Sequence, residues 1–303
     1  MFHDFNFKDV LSCSLRAAWQ IEDVLPQGAA LDFGRPFMPE TLARTGAIAF
    51  LDADERRILN QIRGHEYLAL FGLVEEFVLP FVIDHARPQL DGDDHRVRAL
   101  LNFASEEAKH IHLFKAFHRL FIASFGSECS VIGPAQAIAA EVLRHDPLAV
   151  ALVILQIEWM TQNHYLDSVR DDGDLDPLFK SLLKHHWIEE AQHAKLDTLM
   201  VEALADGRDE AGIQSAIDEY LEIGAFLDGG LWAQARFNLD AFERATGRGL
   251  SVAQYSELET QQHQALRWTY LGSGMIHPKF VATLSAISPA ARDRIAAVAP
   301  AFS

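Results

Sequence analysis

The chain has 303 residues, 49% of them hydrophobic, so it can bury a large core as one long domain or two small ones. Its formal net charge of −17 and the lack of a basic cluster argue against a nucleic-acid partner. The two cysteines, Cys13 and Cys129, are too far apart in sequence to form a zinc motif or a disulfide framework. No apolar run is long enough to span a bilayer, and the amino end lacks the layout of a signal peptide. We therefore expect a soluble cytoplasmic protein with no membrane partner.

The predicted elements are all helices, because no alternation of apolar and polar residues is long enough to predict a strand. We expect one all-α domain over residues 1–303. It comprises an irregular Pro- and Gly-rich arm at 1–51, a core bundle at about 52–205 and C-terminal helices at 206–303. The arm is predicted to begin with a short amphipathic helix around 10–24. The core helices are predicted over 52–86, 95–124, 148–170 and 176–205, with a connecting helix over 135–144. Further helices are predicted over 210–246, 251–270 and 288–298, and the first of them is expected to tolerate Gly224 and the Gly229-Gly230 break.

Two of the predicted core helices each carry a Glu-x-x-His motif. Glu107 and His110 lie on the second core helix, and Glu190 and His193 lie on the fourth. Residues at this spacing project from nearly the same face of a helix, so each pair can present a carboxylate and an imidazole to one metal ion. One such pair occurs by chance on many solvated helices. Two pairs, each followed by apolar residues, indicate a metal site.

Each pair is preceded by a helix in which acids interrupt an apolar run. Glu158 is the single carboxylate of residues 152–160, whereas Glu75 and Glu76 are adjacent within residues 70–83. Burying an unpaired carboxylate is costly, so such acids usually have a cation, a metal or a proton as partner. Two helices with one Glu each and two with Glu-x-x-His make up the dimetal site of ferritin-like bundles. The sequence therefore predicts a ferritin-like four-helix bundle with an additional arm and additional C-terminal helices.

The choice between Glu75 and Glu76 stays open, with Glu76 preferred. Glu76 stands directly before an aromatic residue, as the lone acid of the third core helix does, and its interval to the following pair is nearly the same. On a straight helix, Glu76 also lies nearly opposite Arg56, Asn60 and Arg63. These three polar residues are expected to face solvent, which would turn Glu76 toward the core.

A further histidine, His186, lies one turn before Glu190 on the same helix face and can lean toward the same metal. The alternative is a surface or packed histidine. With this residue included, the series resembles that of the p-aminobenzoate N-oxygenase family of di-iron oxygenases, in which a third histidine joins the usual six ligands. Residues 274–280 are also similar to that family, although the resemblance is loose outside the metal-binding core. The resemblance rests on Glu76, Glu107, His110, Glu158, His186, Glu190 and His193.

This resemblance implies an O₂-dependent di-iron oxidoreductase of the monooxygenase type, acting on a small organic substrate such as an arylamine. Two iron ions are the expected cofactor. Manganese or a mixed pair stays open, because carboxylates and imidazoles suit either metal. Glu107 and Glu190 would bridge the metals, while Glu76 and Glu158 would be terminal ligands. The expected partners are the substrate and O₂. The electron donor and the oligomeric state stay open, although many large bundles form homodimers.

Two residues are candidates to support the ligands, because a metal-bound histidine commonly donates its other N–H to a carboxylate. Asp197 lies one turn beyond His193, and Gln162 lies one turn beyond Glu158. For Asp197, a solvated acid on the helix surface is an equally good alternative.

Two other functions compete with the oxygenase. One is a ferritin-type iron oxidation and storage protein, although ferritin chains are much shorter. The other is a helical scaffold with chance motifs, which leaves the buried acids unexplained.

Overall fold

The computed structural model describes residues 3–303, so the first two residues of the predicted arm lie outside the described part. The described residues form helices and no strand, which confirms the all-α fold class. No helix among them combines the length and apolar character needed to cross a bilayer. In chain order, the helices α1 to α13 are Phe7–Ala17, Ile21–Val24, Glu40–Ala43, Ala53–Ala86, Asp94–Phe125, Ala135–Leu143, Pro147–Asn163, Pro177–Ala205, Glu210–Thr246, Val252–Arg267, Ser273–Met275, Pro278–Ile287 and Pro289–Val298.

The core is built from two helical hairpins, α4 with α5 and α7 with α8. A capping box starts α4: the Asp52 carboxylate accepts the backbone N–H of Glu55, and the Glu55 carboxylate accepts that of Asp52. Pro147 and Pro177 occupy the first positions of α7 and α8, where a helix needs no N–H donor. These local signals explain why the four core helices begin close to their predicted positions.

The two hairpins are covered by the rest of the chain. Helix α1 packs on α5 and α8, helix α9 packs across α4 and α7, and α10 packs on α9. The helix predicted over 210–246 is confirmed, because α9 runs without interruption from Glu210 to Thr246 and tolerates Gly229-Gly230. Packing against both hairpins outweighs the low helix propensity of the two glycines. Helix α12 was absent from the predicted elements, and π-helical turns follow α7 and α10 over His164–Val169 and Trp268–Gly272.

The first half of α4 is buried on the side that the sequence assigns to solvent. Asn60 accepts hydrogen bonds from the backbone N–H groups of Phe37 and Met38, at 2.8 and 2.9 Å, and donates to the Met38 carbonyl at 2.7 Å. Arg63 is 1% exposed, and its guanidinium lies 3.3 Å from the Glu66 carboxylate. The prediction that Asn60 and Arg63 face water is wrong, because the arm folds back over this part of α4.

We expect Asn60→Ala to lower the free energy of unfolding by roughly 2 to 4 kcal/mol, because it leaves buried backbone groups of Phe37 and Met38 without partners. Urea denaturation followed by circular dichroism measures this loss. Asn102→Ala is the matched control, since the Asn102 side-chain nitrogen on α5 has no hydrogen-bond partner in the described part of the chain. Equal stability of the two variants would show that Asn60 does not anchor the arm.

Candidate metal centre

Acidic and imidazole side chains from all four core helices meet in the interior of the bundle. Helix α4 supplies Glu75, α5 supplies Glu107 and His110, α7 supplies Glu158, and α8 supplies His186, Glu190 and His193, all of them buried. Ligand atoms of Glu75, His110, His186 and Glu190 lie within 4.8 Å of one another. The same holds for Glu107, His110, Glu190 and His193. Six of the seven residues therefore form two overlapping groups that share His110 and Glu190, whereas Glu158 belongs to neither group.

Glu190 stands at the centre of the cluster and faces both groups. Its Oε1 lies 3.1 Å from Nδ1 of His110 and 2.6 Å from Nε2 of His186. Its Oε2 lies 3.0 Å from Nδ1 of His193. A carboxylate with one oxygen directed to each group has the arrangement that a ligand bridging two metal ions requires. On the other side of the cluster, Glu107 Oε1 lies 2.8 Å from Nδ1 of His193.

Glu75, and not Glu76, is the α4 residue in the cluster. Glu75 Oε1 lies 3.2 Å from Nε2 of His186 and 3.5 Å from Nδ1 of His110. The Glu76 carboxylate points away and lies 3.6 Å from Nζ of Lys115, with its side chain 25% exposed. We therefore replace Glu76 by Glu75 in the candidate ligand set. The preference for Glu76 rested on its match to Glu158 in position and spacing and on a solvent-facing Asn60 and Arg63, which the fold buries.

The pKa values of Glu107, Glu158 and Glu190 are shifted by burial and by their charged neighbours. Burial raises the pKa of Glu107 to about 7, and the neighbouring Glu75 adds to the shift. Burial also raises the pKa of Glu158 well above its usual range, with a further contribution from Glu190. Burial acts in the same direction on Glu190, but His186 and His193 outweigh it and hold its pKa well below the usual range. The pKa values of Glu158 and Glu190 are thus shifted in opposite directions, although both carboxyl groups are buried.

The pKa values of the cluster histidines are raised, whereas burial alone lowers the pKa of an imidazole. Burial lowers the pKa of His110, but its hydrogen bonds to surrounding carboxylates, with Glu189 first, outweigh burial and raise the pKa well above its usual range. Burial is likewise outweighed at His193, where Glu190 and Glu106 raise the pKa. The carboxylates thus favour positive charge at these positions. A bound metal ion would supply that charge and displace the protons.

The donor set fits two metal ions. The Oε2 atoms of Glu75, Glu107 and Glu158 are buried and have no hydrogen-bond partner among the described residues. Leaving a buried carboxylate oxygen without a partner is costly, and coordination to a cation satisfies it. Carboxylate oxygens together with imidazole nitrogens and no thiolate suit iron or manganese. The site is thus a buried carboxylate and histidine cluster able to bind two metal ions.

Two further glutamates fix the ligand histidines, and sequence reasoning missed both. Nε2 of His110 lies 2.8 Å from Oε2 of Glu189, and Nε2 of His193 lies 3.0 Å from Oε2 of Glu106. Each contact leaves the Nδ1 atom of the imidazole directed at the cluster. The signal was present in the sequence, because a second Glu directly precedes the Glu of each Glu-x-x-His motif. The contacts are reciprocal, since each hairpin supplies the carboxylate that orients the histidine of the other.

The arm also reaches the centre, through Trp19. Lys109 Nζ lies 2.5 Å from Glu189 Oε1, donates to the Trp19 carbonyl at 3.0 Å and lies 3.9 Å from the centre of the indole ring. The Trp19 ring stacks on the His110 imidazole, with the ring centroids 5.8 Å apart. Trp19 therefore covers the outer side of His110, and Lys109 balances the charge of Glu189.

The two supporting residues predicted from the sequence have other surroundings. Asp197 is buried, yet neither of its oxygens accepts a hydrogen bond from residues 3–303, so the role predicted for it at His193 belongs to Glu106. Gln162 donates to the backbone carbonyl of Trp187 at 3.4 Å. Burial raises the pKa of Asp197 well above its usual range. The nearby His193 acts against this shift.

The fold and the donor set define a ferritin-like helical bundle with a buried dimetal-type site. Among solved structures, an R2-like ligand-binding oxidase mutant with an aerobically reconstituted Mn/Fe cofactor is similar, with a TM-score of 0.50 and 15% identity over 89% of this chain and 97% of that one. Another R2-like ligand-binding oxidase mutant, with an Fe/Fe cofactor, has a TM-score of 0.47 and 13% identity over 88% and 93% of the two chains. At such identities the likeness concerns the fold. No protein-family model and no curated protein sequence matches this chain.

Adjacent substitutions on α4 test the ligand assignment. Glu75→Ala should reduce the metal content from about two ions per chain to about one, because it removes a carboxylate from the group that contains His110 and His186. Glu76→Ala is the matched control and should keep the wild-type content. Metal analysis of the purified proteins measures both. The reverse pattern would restore Glu76 as the ligand.

The orienting role of the outer glutamates predicts a separate effect. Glu106→Ala and Glu189→Ala should each weaken metal affinity by about 10- to 100-fold, because the histidine loses the carboxylate that fixes its ring. Competition with a chelator measures the affinity. Glu222→Ala, at an exposed position of α9, should leave it unchanged. Wild-type affinity in both outer variants would show that the two carboxylates do not support the site.

Proposed function

We propose that this protein is a non-haem dimetal oxidoreductase that uses O₂ to oxidise a small organic substrate. The observation that carries the proposal is the buried cluster in which Glu190 faces two groups of carboxylate and imidazole ligands. Two bound iron ions, or an iron and a manganese ion, would supply the electrons for the reduction of O₂. The Mn/Fe cofactor named for the similar R2-like ligand-binding oxidase supports this choice of metals.

The residues of the chain have distinct tasks in this proposal. Glu75, Glu107, His110, His186, Glu190 and His193, together with Glu158, would hold the metals. Glu106 and Glu189 keep the imidazoles oriented through their hydrogen bonds. The surrounding apolar side chains keep water away from the site, which strengthens each electrostatic interaction within it.

The third histidine favours an oxygenase related to the N-oxygenases over an iron-storage protein. His186 is 2% exposed and lies 2.6 Å from Glu190, so it belongs to the cluster and not to the surface. This position supports the seven-ligand set implied by the resemblance to the p-aminobenzoate N-oxygenase family. We propose oxidation of an amine nitrogen as the finer assignment, with O₂ and the organic substrate as partners. The electron donor is a separate reductant.

Metal analysis and O₂ consumption test this function. Protein produced with iron, and in parallel with manganese, should contain about two metal ions per chain. After anaerobic reduction it should consume O₂ on mixing, and an added arylamine such as p-toluidine should yield an oxygenated product. Glu190→Ala should abolish metal binding and O₂ consumption, whereas Glu76→Ala should retain both.

The competing functions give different results in the same experiment. A storage protein would take up many more iron ions per chain than the ligand set can hold, and would oxidise them without an organic substrate. A scaffold would bind no transition metal under either growth condition. Either result would overturn the oxygenase proposal.

A further inference from the structure

We infer that the apolar cavity enclosed by α4, α7, α9 and residues 132–133 is the substrate site, and that it takes an uncharged, apolar group. The inference rests on the proposed function, because it names the class of substrate that the dimetal centre would oxidise. The cavity has a volume of about 200 Å³. Its wall includes Leu73, Val74, Ile157, Phe226, Leu231 and Tyr270.

The cavity adjoins the metal centre through short links in the chain and through one aromatic ring. Val74 on α4 and Ile157 on α7 line the cavity. They directly precede Glu75 and Glu158 in sequence. The Phe71 ring lies 6.1 Å from the ring of Tyr270, which lines the cavity, and 5.3 Å from the His186 imidazole, both measured between centroids. The Phe71 ring therefore packs against both the cavity wall and the ligand cluster.

The chemistry of the wall selects against charge. Tyr270 provides the one polar side chain among the described lining residues, and its hydroxyl donates to Glu66 Oε1 at 2.7 Å. A carboxylate in this cavity would lose its hydration without gaining a partner. A neighbouring cavity of about 230 Å³ contains Lys115, but Glu76 lies 3.6 Å from its Nζ atom and neutralises it. Neither cavity therefore offers an unpaired lysine or arginine to an acidic substrate.

The size of the cavity limits the substrate further. An apolar cavity of about 150 Å³ lined by Leu, Ile and Phe side chains accepts benzene. The larger volume here fits a single ring with one or two small uncharged substituents. An uncharged arylamine satisfies both the apolar wall and the proposed oxidation of an amine nitrogen, whereas p-aminobenzoate satisfies the size but not the charge.

The walls of the cavity are held by a buried hydrogen-bond network. The side chain of Gln234 on α9 accepts the Ile132 backbone N–H at 2.9 Å and donates to Asn238 Oδ1 at 2.9 Å. Asn238 in turn donates to Glu66 Oε2 at 3.3 Å, and Glu66 accepts the Tyr270 hydroxyl. One network thus fixes the loop wall, α9, α4 and the turn that carries Tyr270, so the cavity is preformed.

Gly230 keeps part of this space open. A Cβ atom at Gly230 would lie 3.2 Å from Cδ1 of Ile132, and Gly230 lines the cavity. A Cβ atom at the neighbouring Gly229 would meet nothing within 4 Å. A glycine within a helix costs about 1 kcal/mol relative to alanine. A larger residue at position 230 would shorten the cavity, and the same residue at position 229 would extend into solvent.

This difference gives a matched experiment with two probes of similar size. Isothermal titration of the metal-loaded protein with p-toluidine should show binding, and p-aminobenzoate should bind at least about tenfold more weakly because its carboxylate finds no partner. Gly230→Leu should weaken p-toluidine binding by at least about tenfold, while Gly229→Leu should leave it unchanged. Leu231→Phe, a second change to the wall, replaces Gly230→Leu if that variant does not fold.

Three results would overturn the inference: no binding of p-toluidine, equal affinity for both probes, or wild-type affinity in the folded wall variant. The metal content of each sample is measured at the same time, so the two proposals fail separately. Binding that depends on Gly230 in a protein without bound metal would support the cavity and remove the oxygenase. Two bound metals without p-toluidine binding would support the dimetal centre and remove the cavity as the substrate site.

Discussion

The structure depends on burying four carboxylates and three imidazoles at one point inside a helical bundle. Each carboxylate would repel the others, and none reaches bulk water, so positive charge must enter the cluster. Protonated imidazoles supply part of it, since the surrounding carboxylates raise the pKa values of His110 and His193. Metal ions meet the same demand with more charge and fixed geometry. The four core helices, their length and their pairing into hairpins are the scaffold that brings these groups together.

Around the cluster, a second set of interactions limits the freedom of the ligands. Glu106 and Glu189 hold the outer nitrogens of the histidines, and Lys109 neutralises Glu189 on the side away from the centre. The arm contributes to the same set, because Trp19 covers His110 and accepts a hydrogen bond from Lys109. The arm, which the sequence predicts as an irregular segment, therefore contributes side chains to the surroundings of the site.

Much of the fold and most of the cluster could be predicted from the sequence, because helix caps, apolar periodicity and the Glu-x-x-His spacing are local signals. The choice of Glu75 over Glu76 could not be predicted, since it depends on which parts of the chain cover α4, and Asn60 is buried by the distant arm. The position of Trp19 and the apolar cavity could not be predicted for the same reason, because the residues around them come from segments that are distant in sequence. The sequence contains Glu106 and Glu189 in a repeated Glu-Glu pair. Their contacts with the histidines depend on the packing of one hairpin against the other, which the sequence alone does not give.

The crossed contacts of the histidines bear on how such a site could arise. The first hairpin carries His110 but takes the carboxylate that orients it from the second, and the second carries His193 and takes its carboxylate from the first. One hairpin alone would leave its histidine without this contact. Two identical hairpins related by a twofold axis would complete both contacts at once. The reciprocal contacts of the two hairpins in this chain therefore match the arrangement expected at the interface of such a pair.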